Sequence, residues 1–238
     1  MRSRHLARIC ATGFGVVLLA GCGSSSPTPT STATGRPVPS ASPASLPQLN
    51  NIVLRAADLP LGWEAAPYKA DPNAPANDAT MAKCVGGRNT DSDRVAEAHS
   101  GTFTLSDARI SSSASSYRSQ SDLDADTAML HSPKLSVCYQ RALKKQIATS
   151  LPAGATIESA TLHVTPGSAG GPSNVLAAGT GTVTVGANGQ RVTFYVSVAF
   201  ITGPLIEAEV DSFNVGTPVP ASMVNSLAAS VATRAATR

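Results

Sequence analysis

Two stretches in the last third of the chain constrain its fold more than anything before them. Between Arg191 and Ile201, the side chains of Val192, Phe194, Val196, Val198 and Phe200 recur at every second position. Between Leu205 and Phe213, Ile206, Ala208 and Val210 alternate with Glu207, Glu209 and Asp211. A period of two in β-branched and aromatic residues belongs to a pleated strand with one covered face. Thr202-Gly203-Pro204 turns the chain tightly between the two stretches, so they pair antiparallel. Thr156–Val164 and Val175–Val185 read as two further strands, joined by a Gly-rich turn around Gly167–Gly171, and Gly186-Ala187-Asn188-Gly189 turns the chain again. The expectation is an antiparallel sheet of at least four strands, buried on one face and wet on the other. Glu207, Glu209 and Asp211 then fall on the wet face as a solvated row rather than an acid-base pair.

Helices are expected to cover the apolar face. From Pro133 to Ser150, Leu135, Tyr139, Leu143 and Ile147 recur at every fourth position, after Ser132 as a cap and Pro133 as a first helical residue. Lys134, Arg141 and Lys145 lie on the other side of that helix, a basic face that reads as solvated or as the complement of an acidic partner or lipid headgroup. A closing helix near Ala221–Ala235 carries Met223, Leu227 and Val231 as its stripe, with Arg234 and Arg238 at its end. Earlier, Glu97–Ile110 reads as a strand with Phe103 and Leu105 on one face. Ser111–Ser121 fits either a strand edge or the start of a helix, and Asp71–Asn77 reads as a loop. Together these give an α+β fold in a single domain, a sheet packed against two or more helices.

The chain divides into three parts. Residues 1–21 have Arg2, Arg4 and Arg8, then a mostly apolar run from Ile9 to Ala20, closed by Leu19-Ala20-Gly21-Cys22. That run is shorter than the roughly 20 residues of a bilayer-spanning helix, so it reads as a cleavable export signal ending in a lipobox, with Cys22 as the thiol that accepts lipid. Residues 22–48 are rich in Ser, Thr and Pro and read as a disordered tether. Residues 49–238 form the domain. Three of the 18 basic residues lie in the signal, so the remaining 15 face 15 acidic ones, and the chain is no footprint for nucleic acid.

Of the four cysteines, Cys10 leaves with the signal and Cys22 takes lipid, which leaves Cys84 and Cys138. In an oxidising compartment that pair is expected to form a disulfide, closing a loop worth about 3 to 4.5 kcal/mol. Other chemistry finds little support. Asp122, Asp124 and Asp126 alternate like a calcium loop, but Thr127 and Pro133 stand where that loop needs Gly and Glu. His99, His131 and His163 are far apart without ligand spacing. There is no Gly-x-Ser-x-Gly elbow, no phosphate-binding loop with its Lys, and no cofactor motif.

The lipobox, the Ser/Thr/Pro tether, Asp58-Leu59-Pro60 with Gly62-Trp63, and the Cys-bearing helix after Ser132-Pro133-Lys134 resemble an actinobacterial, mycobacterial-type cell-envelope lipoprotein. Among known folds the chain is similar to the Mog1/PsbP-like lipoproteins and, more loosely, to the extracellular sensor domains of receptor kinases. That resemblance implies a non-catalytic binding or sensor-like domain on the extracytoplasmic face of the cell membrane. Its implied partners are the membrane, through lipid on Cys22, and an envelope protein, lipid or cell-wall ligand. A lipid or glycolipid carrier and a cell-envelope hydrolase are the alternatives.

The lipobox reading yields a direct test. Cys22→Ala is expected to abolish metabolic labelling by a fatty acid and to leave an uncleaved precursor on a gel. Normal processing of that variant would remove the anchor from the account.

Overall fold

The computed structural model describes residues 41–167 and 173–237. Cys22, the signal segment, most of the tether and the greater part of the Gly167–Gly171 turn lie outside the described residues. In chain order the elements are α1 (Leu46–Leu49), β1 (Glu64–Ala66), α2 (Ala74–Val85), β2 (Arg94–His99), β3 (Thr102–Leu105), β4 (Ala108–Tyr117) and α3 (Gln120–Thr127). They continue with α4 (Leu135–Ser150), β5 (Thr156–Pro166), β6 (Val175–Ala187), β7 (Gln190–Gly203), β8 (Ile206–Val215) and α5 (Ala221–Ala236).

All strands join one 8-stranded antiparallel sheet in the order β1-β3-β4-β8-β7-β6-β5, with β2 pairing on β4 beyond the end of β3. The fold is α+β, as the alternation implies. β5 through β7 form a meander, and its β6–β7 turn places Asn188 and Gly189 at φ 52° and 74°. Two consecutive positive φ values suit a two-residue turn whose twist matches the strands. The expected Glu97–Ile110 strand is in fact β2, β3 and the start of β4. A turn at Ser106-Asp107 separates the last two, and Ser100-Gly101 interrupts the first two. A Cβ on Gly101 would lie 2.5 Å from the carbonyl oxygen of Ala66, so only glycine lets β1 approach there. Ser111–Tyr117 is the remainder of β4, and Ser119 caps α3.

The two long helices do not share a face. The apolar side of α5 (Val224, Leu227, Ala228, Val231) packs on Ala199, Ile201, Ala208 and Val210. On the other face, Leu135 and Tyr139 of α4 pack against Leu162, Ala177, Val198 and Phe200. The expectation that both would cover one face fails because the end of β7, Val198-Ala199-Phe200-Ile201, is buried on both sides. A continuous apolar run of that kind is the mark of a strand with a layer above and below it.

Packing also begins earlier than Leu49. Ala44 is buried, and its N–H donates to Ser116 Oγ at 2.7 Å, while the N–H of Leu54 donates to Ser112 Oγ at 2.8 Å. Small hydroxyl side chains on β4 let the incoming backbone lie against the sheet and satisfy its donors. Leu49, Ile52, Val53 and Leu54 fill the remaining space beside α5. Asp71–Asn77, expected as a loop, already holds the first turns of α2, with Pro75 among its first residues. α4 starts at Leu135, and Ser132 Oγ both accepts from the N–H of Lys134 and donates to the Val85 carbonyl.

Two covalent or ionic ties hold the layers together. Cys84 at the end of α2 and Cys138 in α4 form a disulfide with Cα atoms 5.8 Å apart. Arg234, in the last turn of α5, donates Nη1 and Nη2 to the two oxygens of Asp58 at 2.9 and 3.0 Å, and Nε to the Ile52 carbonyl at 3.0 Å. Burial raises the Asp58 carboxyl, but the Arg234 contact and the N–H of Arg55 outweigh it and hold Asp58 below its usual range. A bidentate fork is the geometry in which Arg is least replaceable. Arg234→Met is expected to lower unfolding free energy by about 2 to 3 kcal/mol, because Asp58 and the carbonyls of the N-terminal segment lose their donor in a half-buried place. A urea titration reads this. A loss below the scatter of that measurement would show the fork to be incidental.

Candidate functional site

The register of the sheet sets up the site. His99 on β2 stands beside Ser113 on β4, which stands beside Glu209 on β8 and then Phe200 on β7. The next row is Glu97, Ser115, Glu207 and Thr202. Directly opposed residues share a face. The face under α4 is therefore divided: β5, β6 and β7 present an apolar floor, while β2, β4 and β8 present serines, carboxylates and a histidine.

Because α4 and α3 lie over this face, the acidic row of β8 is buried, contrary to the solvated row that its alternation suggests. Glu209 is 5% exposed; Glu207 and Asp211 are half-buried by area, with their carboxyl groups densely surrounded by protein. Strict alternation shows only that two faces differ. On a strand covered on both sides, the polar residues must find partners inside the protein.

They find them in two tyrosines and in one another. Tyr139, from the apolar stripe of α4, donates its hydroxyl to Glu209 Oε1 at 3.1 Å and packs edge-on against Phe200. Tyr117, fully buried at the end of β4, donates to Asp126 Oδ2 at 2.6 Å, and its hydroxyl also lies 3.0 Å from Glu207 Oε2. Thr90 donates to the other Asp126 oxygen at 2.6 Å. One phenolic hydrogen cannot serve two carboxylates, so a neutral Glu207 that supplies its own proton completes the set.

The electrostatics agree with that proton count. Burial, with Asp126 beside it, pushes Glu207 well above the ordinary carboxylate range. Burial and the neighbouring Asp211 do the same to Glu209. Asp211 is raised to about 7 by burial, against a hydrogen bond from Glu209 that favours its charge. Like charges this close cannot all ionise, so protons are shared along the row. Arg94 supplies the balancing charge. Burial disfavours its ionised form, but Tyr117, Asp126, Glu97 and Glu207 together more than restore it.

Toward the β2 side the strip becomes accessible. His99 is half-buried, stacks on Tyr68 with ring centres 3.8 Å apart, and has Nε2 3.4 Å from Glu97. Burial lowers the His99 pKa, with Arg94 adding to that and Glu97 opposing it. The strip thus runs from a half-buried, aromatic-faced imidazole to a buried acid row that shares protons.

The other residues singled out in the sequence lie elsewhere. His131 and His163 are exposed on separate elements. Asp122 sits in the first turn of α3 and pairs with Arg88, and Asp126 alone of the three alternating aspartates joins the acid cluster. Among the described residues no three His, Cys, Asp or Glu side chains converge as a metal site, and no helix is long and apolar enough to cross a membrane. Lys134, Arg141 and Lys145 are exposed, as their spacing implies. Sequence reasoning missed Tyr117 and Tyr139. The available signal was a hydroxyl-bearing aromatic inside the apolar stripe of α4, which needs an acceptor within the core. No protein-family model matches the chain, and no curated protein matches it significantly.

The acid row gives the domain a defined pH response. A carboxyl group whose folded pKa exceeds its unfolded value of about 4 binds more protons when folded, so its stability is complete below about pH 4 and is lost as pH rises through the folded pKa. For Asp211 that window ends at about 7. Melting temperature is expected to fall as pH rises from about 5 to about 7, where Asp211 gives up its proton. Asp211→Asn should flatten the curve. A stability that rises over this range would contradict the shared-proton account.

Proposed function

We propose that the chain is a membrane-anchored extracytoplasmic lipoprotein whose domain is a non-catalytic binding or sensor-like module at the cell envelope. The lipobox ending at Cys22 and the Ser/Thr/Pro tether support the address. The observation that carries the module reading is the polar strip from Tyr68 and His99 to Asp211. Its innermost acids are held by Tyr117, Tyr139 and each other, which commits them to internal proton sharing. Such a strip fits recognition of a polar envelope ligand, with His99 and Glu97 at its accessible end.

Packing supports this reading over a lipid carrier. Between α4 and the sheet, Tyr139 and Phe200 meet with ring centres 6.1 Å apart and share one apolar cluster with Leu135, Leu162 and Val198. A carrier needs a cavity of roughly 300 Å³ or more. The hydrolase reading draws on the raised pKa values of Glu207 and Glu209, since a neutral acid beside an ionised one is a catalytic arrangement elsewhere.

The test uses the mature chain and the insoluble cell-wall and lipid fractions of an envelope preparation. Saturable retention on the cell-wall fraction, weakened at least severalfold by His99→Ala, is expected. A co-purifying lipid in native mass spectra would favour the carrier. Turnover of an envelope ester or glycan, lost in Glu209→Gln, would overturn the non-catalytic reading.

A further inference from the structure

We propose that the outward face of α4, together with Lys83 at the end of α2, docks on anionic phospholipid headgroups. At 3.6 residues per turn, Lys134, Val137, Arg141, Lys144 and Lys145 fall within an arc of about 100°. All of them are exposed, and α4 contains no Asp or Glu. Lys83, also exposed, is brought alongside by the Cys84–Cys138 bond, and the Arg141 guanidinium lies 3.9 Å from Cys84 Sγ.

Several cations elsewhere in the domain have acidic partners. Arg88, Arg94, Arg191 and Arg234 are each matched with Asp or Glu. Among the described residues, Lys83, Lys134, Arg141, Lys144 and Lys145 form no ion pair. Outside the signal segment, acidic and basic residues balance at 15 each, so a face with only cations is a local segregation of charge. Val137 stands in the middle of it, 58% exposed. Cations around an exposed apolar side chain on one helix face are the pattern of a helix that lies in the headgroup plane.

An anionic bilayer is favoured over an acidic protein because the chain reaches the fold from a membrane anchor, and in this respect the inference rests on the reading of Cys22. Only 21 residues separate Cys22 from Ala44. A connection of that length holds the domain near the membrane surface. Ala44 lies against the sheet face opposite α4. Fully extended, the tether reaches about 70 Å, enough to pass the sheet edge and let α4 face the bilayer.

The experiment uses the mature chain from residue 22 with Cys22→Ser, so that no acyl chain contributes, and sediments it with lipid vesicles. Binding to vesicles of phosphatidylglycerol and phosphatidylcholine is expected at about 50 mM salt, with loss at about 500 mM, and little binding to phosphatidylcholine alone. Each Lys near an anionic surface strengthens binding roughly fivefold, so K144E/K145E should weaken it by at least about 25-fold. Both positions are exposed, and unchanged circular dichroism confirms the fold of the variant. Equal binding to both vesicle types, no binding to the anionic ones, or unchanged binding by K144E/K145E would each overturn the proposal. Fatty-acid labelling of Cys22 in cells is independent of these outcomes, so the anchor stands or falls separately.

Discussion

The contact between Tyr139 and Glu209 is the point on which the two layers of this face depend. A carboxyl group under a helix is costly unless it is neutral and hydrogen-bonded. Tyr139 is the residue of α4 that reaches it, and it does so from within an otherwise apolar stripe. The same side chain therefore packs on Phe200 and supplies the polar partner of β8. The neighbouring acids follow from this choice: with Glu209 held in place, Asp211 and Glu207 beside it must share protons or repel.

This polar strip shares the near face with an apolar cluster, and the far face is apolar. On the far face α5 and the N-terminal segment close over Ala199, Ile201, Ala208 and Val210, and Arg234 fastens them to Asp58. On the near face the disulfide fastens α2 to α4. Each face of the sheet thus has one tie, and the polar strip between β2 and β8 is the part of the near face not filled by hydrocarbon. Its end at His99 and Tyr68 is half-buried and is the part of the strip nearest to solvent.

Much of the architecture was legible in residue patterns. The alternation in β7 and β8, the Asn188-Gly189 turn, the stripe of α4 and the pairing of Cys84 with Cys138 all follow from local rules that tertiary packing did not override. What could not be read was the number of covered faces. Glu207, Glu209 and Asp211 look the same in a sequence whether water or a helix lies above them. The clue was the unbroken apolar run at Val198–Ile201, next to β8, where strict alternation gave way. Short edge elements were lost for another reason. Ser106-Asp107 and Ser100-Gly101 are weak turn signals, and α2 begins in a Pro-containing stretch that resembles a loop until Pro75 is seen in its first turn.

The central claim is that β8 carries a buried, proton-sharing row of acids tied to α4. Carboxyl-carbon NMR titration of the folded domain, with Asp and Glu side chains labelled, tests it most directly. The account places Glu207 and Glu209 well above the ordinary carboxylate range and Asp211 at about 7, with Glu209→Gln removing one of the high transitions and shifting that of Asp211. Titration of all three between about pH 3.5 and 4.5, as for solvated carboxylates, would contradict it.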